Sequence, residues 1–211
     1  MLTNQITILF LVGCSLHLAA EPHPSFNTKD TLSTKSWEYL NQAVQQNNAD
    51  SLKSRIYLEG WLKKAKQKKN YYQMAQAYRI MSYRSNREQR LHYADSMLTC
   101  AMQTSDNVLI GNAYLTKGIV HYNNRELRKA LDNYLKADKY VAKTDDLDAK
   151  HMIKYTLAIT KYQIGFYDEA IALFNECLNY YSEENDRAYL NTLHALALCN
   201  TNLDMQIKDG V

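Results

Sequence analysis

The chain has 211 residues and a formal net charge of +3, with both signs mixed along its length. That balance gives no electrostatic case for binding nucleic acid. Six glycines and two prolines, Pro22 and Pro24, are too few to turn a β-rich chain of this size, so the composition asks for an all-α fold.

Residues 1–20 stand apart from the rest. The run Ile6–Thr7–Ile8–Leu9–Phe10–Leu11–Val12 is apolar, shorter than a membrane span, and leads to Ala19 and Ala20. This is the form of a secretory signal peptide cleaved near Ala20–Glu21, although the first 28 residues carry no Lys or Arg. A second reading takes Leu11–Val12–Gly13–Cys14 as a lipoprotein leader with Cys14 acylated, and a third keeps the segment as an uncleaved anchor. Apolar character that continues through Leu16 and Leu18 favours plain cleavage. The expectation is therefore an exported, periplasmic or envelope-associated chain, attached to the membrane through its N-terminus under the second and third readings. Residues 21–35 read as a linker.

Apolar periodicity then predicts helices over Ser36–Asn47, Asp50–Lys68, Tyr71–Ser85, Arg87–Gln103, Val108–Asn123, Leu127–Val141, Asp148–Ile164, Tyr167–Tyr181 and Asp186–Asn202. The first pair, 36–69, is a degenerate copy of the later pairs. Its Leu58, Leu62 and Ala65 fall 36 residues before Ala94, Leu98 and Ala101, which suits an N-terminal cap. The basic run Lys63, Lys64, Lys66, Lys68 and Lys69 closes a helix, where cations meet the negative dipole end. It reads as a solvated terminus in preference to a membrane or nucleic-acid patch.

Over 70–185 one spacing of small and bulky residues recurs. Gly118, Ala130, Tyr134 and Ala137 are separated by 12, 4 and 3 positions, and Ala158, Ala170, Phe174 and Cys177 repeat those offsets. Ser82, Ala94, Leu98 and Ala101 follow them more loosely. Small residues let two antiparallel helices approach, the bulky residue fills the space where they splay, and the last small slot faces the next pair. Self-similarity of this kind signals a solenoid. The stretches AYLTKGIVHYNNRELRKALDNYLKA, from Ala113, and KYTLAITKYQIGFYDEAIALFNEC, from Lys154 with Gly165 and Tyr167 at its turn, resemble the tetratricopeptide repeat (TPR). The resemblance spans roughly residues 36–203 and implies a right-handed α-solenoid of antiparallel helix pairs. Repeat steps of 36 and 40 residues depart from the family's roughly 34, and the proline often found between repeats is missing. Both point to longer helices or loops, such as Lys143–Asp148.

Residues 186–211 read as the first helix of a further, truncated repeat, with Ala197 in its small slot 39 residues after Ala158. Leu193, Leu196 and Leu203 leave an apolar face there, which suggests a piece of a longer protein; the alternative is that this helix is itself the cap. ALDNYLK, from Ala130, and YLNTLHALA, from Tyr189, behind a signal-like leader, resemble bacterial regulators with N-terminal TPR repeats. In that family the repeats lie outside the cytoplasmic membrane, and one membrane helix leads to an intracellular AraC-type helix-turn-helix domain. The resemblance covers only the sensory half, so it implies a non-enzymatic module that binds a peptide or protein segment, without DNA binding of its own. A stand-alone periplasmic or lipid-anchored adaptor is the alternative.

In such a fold the first helix of each pair lines the concave groove. The candidate strip is Gln76, Arg79, Tyr83 and Arg87, then Leu115, Ile119, Tyr122 and Asn123, then Tyr155, Ile159, Tyr162 and Gln163, and finally His194, Leu198 and Asn202. Aromatic faces, amides and cations suit an extended peptide; the bland alternative is an unused inner coat. Some TPR co-chaperones clamp a terminal carboxylate with Lys and Asn where Arg79 and Tyr83 stand here, so that clamp is not implied. His92, His121, His151 and His194 each lack a second His or Cys one turn away, so no metal is expected. Cys100, Cys177 and Cys199 fit buried free thiols, with a Cys177–Cys199 bond as the alternative open to an exported chain. The sequence holds no nucleophile–base motif and no Gly-rich phosphate loop. Neither catalysis nor a cofactor is expected.

Overall fold

The computed structural model describes residues 31–181 and 186–209. The leader, with its cleavage and acylation readings, and residues 21–30 of the linker lie outside the described residues. A 3-10 turn at Leu32–Thr34 precedes α1 (Trp37–Gln46), α2 (Ser51–Gln67), α3 (Tyr71–Arg84), α4 (Arg87–Ala101) and α5 (Asn107–Asn123). Next come α6 (Leu127–Val141), α7 (Leu147–Gln163), α8 (Tyr167–Tyr180) and α9 (Asp186–Asp209). The described residues contain no strand.

Short polar residues set the starts. The side chains of Ser36, Asp50, Asn70, Asn86, Asp106 and Asp146 each accept a hydrogen bond from a first-turn amide. These bonds satisfy donors that the helix itself cannot. Helix ends agree with the sequence reading to within two residues, except that α9 continues seven residues past Asn202. No Gly or Pro interrupts it before Gly210, and Lys208 opposes the dipole in its last turn.

Neighbouring helices pack in chain order, and the tightest contacts join α3 to α4, α5 to α6 and α7 to α8. Helices α3, α5, α7 and α9 also touch the next of their own set, whereas contacts between successive members of α2, α4, α6 and α8 are sparser. The stack therefore curls toward the first set, which lines its inner face. The core runs along the stack as three successive apolar clusters instead of one centre.

The repeated slots behave as their spacing requires. Gly118, Ala130, Tyr134 and Ala137 are buried, as are Ala158, Ala170, Phe174 and Cys177. In the looser copy Ser82, Ala94 and Ala101 are buried and Leu98 is half-buried; the Ser82 hydroxyl donates to the Arg90 carbonyl at 3.0 Å, which lets a serine occupy a small apolar slot. The turns inside the pairs match as well. Arg125 and Gly165, 40 positions apart, both take positive φ, at 63° and 87°. Each is followed by an amide that reaches back to close the helix end, Glu126 to His121 at 3.0 Å and Phe166 to Lys161 at 2.9 Å.

One expectation fails at the basic run. Lys63, Lys66, Lys68 and Lys69 are exposed, but Lys64 is buried. Its ammonium lies 4.3 Å from the Trp37 ring centre and donates to the Lys35 carbonyl, fastening the start of α1 onto α2. Burial pushes its pKa below the ordinary lysine range, with Lys68 adding repulsion.

Candidate functional site

The inner face is built from one edge of α3, α5, α7 and α9. On α3, Arg79 and Tyr83 are exposed and Gln76 is half-buried; Tyr83 crosses to α5, its hydroxyl 3.4 Å from that of Thr116. On α5, Ile119 and Tyr122 are half-buried and Asn123 is exposed. On α7, Tyr155, Ile159 and Tyr162 are half-buried and Gln163 is exposed. On α9, His194 and Leu198 are exposed, and Asn202 donates its amide to the Tyr162 hydroxyl at 3.0 Å. Contacts therefore run from helix to helix along the strip.

Its middle is a tyrosine cluster. Tyr134 comes from the outer helix α6, and its ring occupies the notch left by Gly118. Burial pushes its phenol far above the ordinary tyrosine range, and the nearby Tyr122 and Tyr83 oppose ionisation further. Tyr155 is raised by burial and then by Cys177 and Tyr122, and it meets Phe174 edge-on at 5.8 Å. Tyr134 is buried and belongs to the packing beneath the strip, whereas Tyr155 is half-buried and keeps an edge on it.

Two residues of the expected strip belong elsewhere. Leu115 is only 5% exposed and sits in the second core cluster, because it faces the inter-helix seam. Arg87 starts α4, an outer helix, and its guanidinium donates to Asn124 at 2.9 Å on the edge of the stack. The strip also extends further than expected. An open pocket of about 350 Å³ continues it past Gln76 and Arg79 to Trp37, Glu38, Asn41 and Trp61. Trp61 donates to Gln73 at 2.9 Å, which fixes its ring in the pocket wall. The available signal was that both tryptophans of the chain fall in the degenerate first pair.

Among the described residues, no group of three or more His, Cys, Asp or Glu side chains could hold a metal ion. His121 is buried, and its Nδ1 lies 2.5 Å from Glu126. Cys100, Cys177 and Cys199 are buried free thiols, so Cys177 and Cys199 do not form the alternative bond. No described helix is long and apolar enough to cross a membrane.

Helix pairs in register, a segmented core and a continuous inner strip define a TPR-like α-solenoid. Comparison with solved structures agrees. The chain is similar to a signal transduction ATPase with numerous domains (STAND) protein with a tetratricopeptide repeat sensor, from Pyrococcus horikoshii, with a TM-score of 0.65 and 16% identity over 83% of this chain. It spans only 28% of that protein's length, so the likeness shows the fold alone. No protein-family model and no curated protein matches the sequence.

Proposed function

We propose that the inner face binds an extended peptide or protein segment, and that the chain is the exported sensory portion of a membrane-bound transcriptional regulator. The observation that carries the binding reading is the strip from Trp37, through Arg79, Tyr83 and Tyr122, to Tyr162. It offers ring faces and hydroxyls on rigid helices, which suits main-chain recognition with side-chain pockets. The sensor role is carried over from the P. horikoshii protein, whose repeats are described as a sensor. Export draws on the apolar run Ile6–Val12 and the small residues Ala19 and Ala20. Bound ligand would change the curvature of the stack, and that change would pass to the rest of the regulator.

A random peptide library displayed against the full chain tests the binding. Enriched peptides should lose roughly tenfold in affinity, about 1.4 kcal/mol, on Tyr83→Ala or Arg79→Glu, both at exposed positions, with the melting temperature little changed. Failure to enrich any peptide, or equal binding by both variants, would sink the reading. An immunoblot of cell fractions tests the setting separately. A membrane band heavier than this chain is expected; a soluble band at its own mass in the cytoplasm would remove the export proposal and leave the binding one standing.

A further inference from the structure

A second pocket, of about 600 Å³, opens between α2 and α4 over the end of α3. None of its lining residues belongs to the inner strip. Its size lies within the range that small organic ligands occupy, roughly 300–1,000 Å³. Leu58, Met81 and Tyr93 supply apolar walls, and Leu52 stands exposed beside them. The Tyr93 ring is held by stacking on Tyr78, with ring centres 6.3 Å apart.

Arg84 gives the pocket its charge. It stands two positions after the small slot Ser82, and its equivalents in the later copies are Val120 and Thr160, both buried. The repeat thus asks for an uncharged residue that closes the seam, and the first clear copy carries an exposed cation instead. The guanidinium is fixed in place. It donates to the Ser54 hydroxyl, to Asn48 Oδ1 at 2.9 Å and to the Val44 carbonyl at 3.5 Å. Ser54 is itself buried and donates to the same carbonyl at 3.0 Å. All three acceptors are neutral, and a guanidinium carries more donors than these bonds use, so charge and hydrogen-bonding capacity are both left over. The acid among the lining residues, Glu59, already pairs with Arg55 at 3.1 Å.

We propose that this pocket binds a small organic monocarboxylate with an aromatic or branched apolar body. The carboxylate lies on Arg84 and neutralises its unmatched charge, while the body lies against Leu58, Met81 and Tyr93. A phosphate ester, with close to two charges near neutral pH, asks for a second cation, and Arg55 is engaged with Glu59. Because Arg84 is already held by three acceptors, little side-chain freedom is lost when the ligand arrives. Seated between α2 and α4, the ligand ties the first helix pair to the second. The inference is independent of ligand binding on the inner face.

The probe is 4-phenylbutyrate, titrated into the full chain and followed by calorimetry, with its neutral primary amide as the comparison. The acid should bind saturably with a Kd below about 1 mM, and the amide roughly tenfold more weakly. Arg84→Gln removes bonds to the turn before α2 as well as the cation of the site, so Gln89→Glu is the deciding variant. Gln89 lines the pocket, is exposed, and lies in the first turn of α4 three residues after the cap Asn86, where a helix favours an acid. The variant should keep the melting temperature of the free chain and weaken binding of the acid roughly tenfold. Tyr83→Ala, on the inner strip, should have no effect. Absence of saturable binding, equal binding of acid and amide, or indifference to Gln89→Glu overturns the proposal. So does weakening by Tyr83→Ala, which would place the acid on the inner strip.

Discussion

Gly118 and Tyr134 show what a single repeat position costs and gains. A Cβ at Gly118 would lie 2.5 Å from Tyr134 Cδ1 and closer still to Cε1, against a ring that is 2% exposed. Alanine gains about 1 kcal/mol of helix propensity over glycine, but overpacking a filled site costs about 1–3 kcal/mol. The ring body cannot swing aside as a chain end could, so packing should win. Gly118→Ala is expected to destabilise by about 1 kcal/mol, and Tyr134→Leu should absorb part of that loss in a double-mutant cycle. A rise in melting temperature on Gly118→Ala would contradict the close approach. A few residues on, Glu126 couples the same pair to pH. The hydrogen bond from His121, then that from Lys129, holds its carboxyl below the ordinary 4.5. A carboxyl with a lowered folded pKa adds stability that is present above 4.5 and disappears as pH falls through the folded value. The stability gap between the chain and Glu126→Gln should be flat above pH 5 and narrow below 4.5. A gap independent of pH down to 3 would rule the coupling out.

The connections between pairs carry a signature of their own. Thr104 and Thr144 each donate to a carbonyl three residues back, at 2.7 and 2.8 Å, and accept from the amides of Asp106 and Asp146, both at 3.3 Å. Those aspartates then cap α5 and α7. Asp106→Ala and Asp146→Ala should each cost about 1 kcal/mol. The two losses should add in the double variant, since the caps share no partner; thermal melts of the set would reveal any departure. The Thr-x-Asp pair recurs at the 40-residue step and was open to reading, but small-slot spacing drew attention to helix faces and away from turns. Helix positions and slots were legible because they follow from periodicity and volume. Which residues of an inner helix reach solvent was not. Leu115 and Tyr122 share a helix and a similar character, and only the seam between neighbouring pairs decides that one is buried and the other lines the strip. Lys64 escaped for the same reason, since a run of lysines cannot show which member lies over Trp37.

As a whole molecule, the stack should lose structure from its ends, because each pair is held only by its neighbours. Three thiols report on this at separate places: Cys100 on α4, Cys177 on α8 and Cys199 on α9. Burial raises all three above the ordinary thiol range, Cys177 to about 11, so the reactive thiolate is scarce near neutral pH while the helices stay packed. Cys199 faces α7 and α8 from a helix whose other side is uncovered among the described residues, whereas Cys100 lies within the longest of the core clusters. In urea below the midpoint, iodoacetamide should therefore modify Cys199 first, Cys177 next and Cys100 last, as read from the masses of proteolytic fragments. Equal rates at the three sites would mean that the stack opens as one cooperative unit. The graded order has a functional consequence. A stack that yields from its α9 end can change curvature there at small cost, and a peptide along the inner strip would stiffen it. A peptide that spans the strip as far as His194 and Asn202 should then slow Cys199 modification, as read from the same fragment masses.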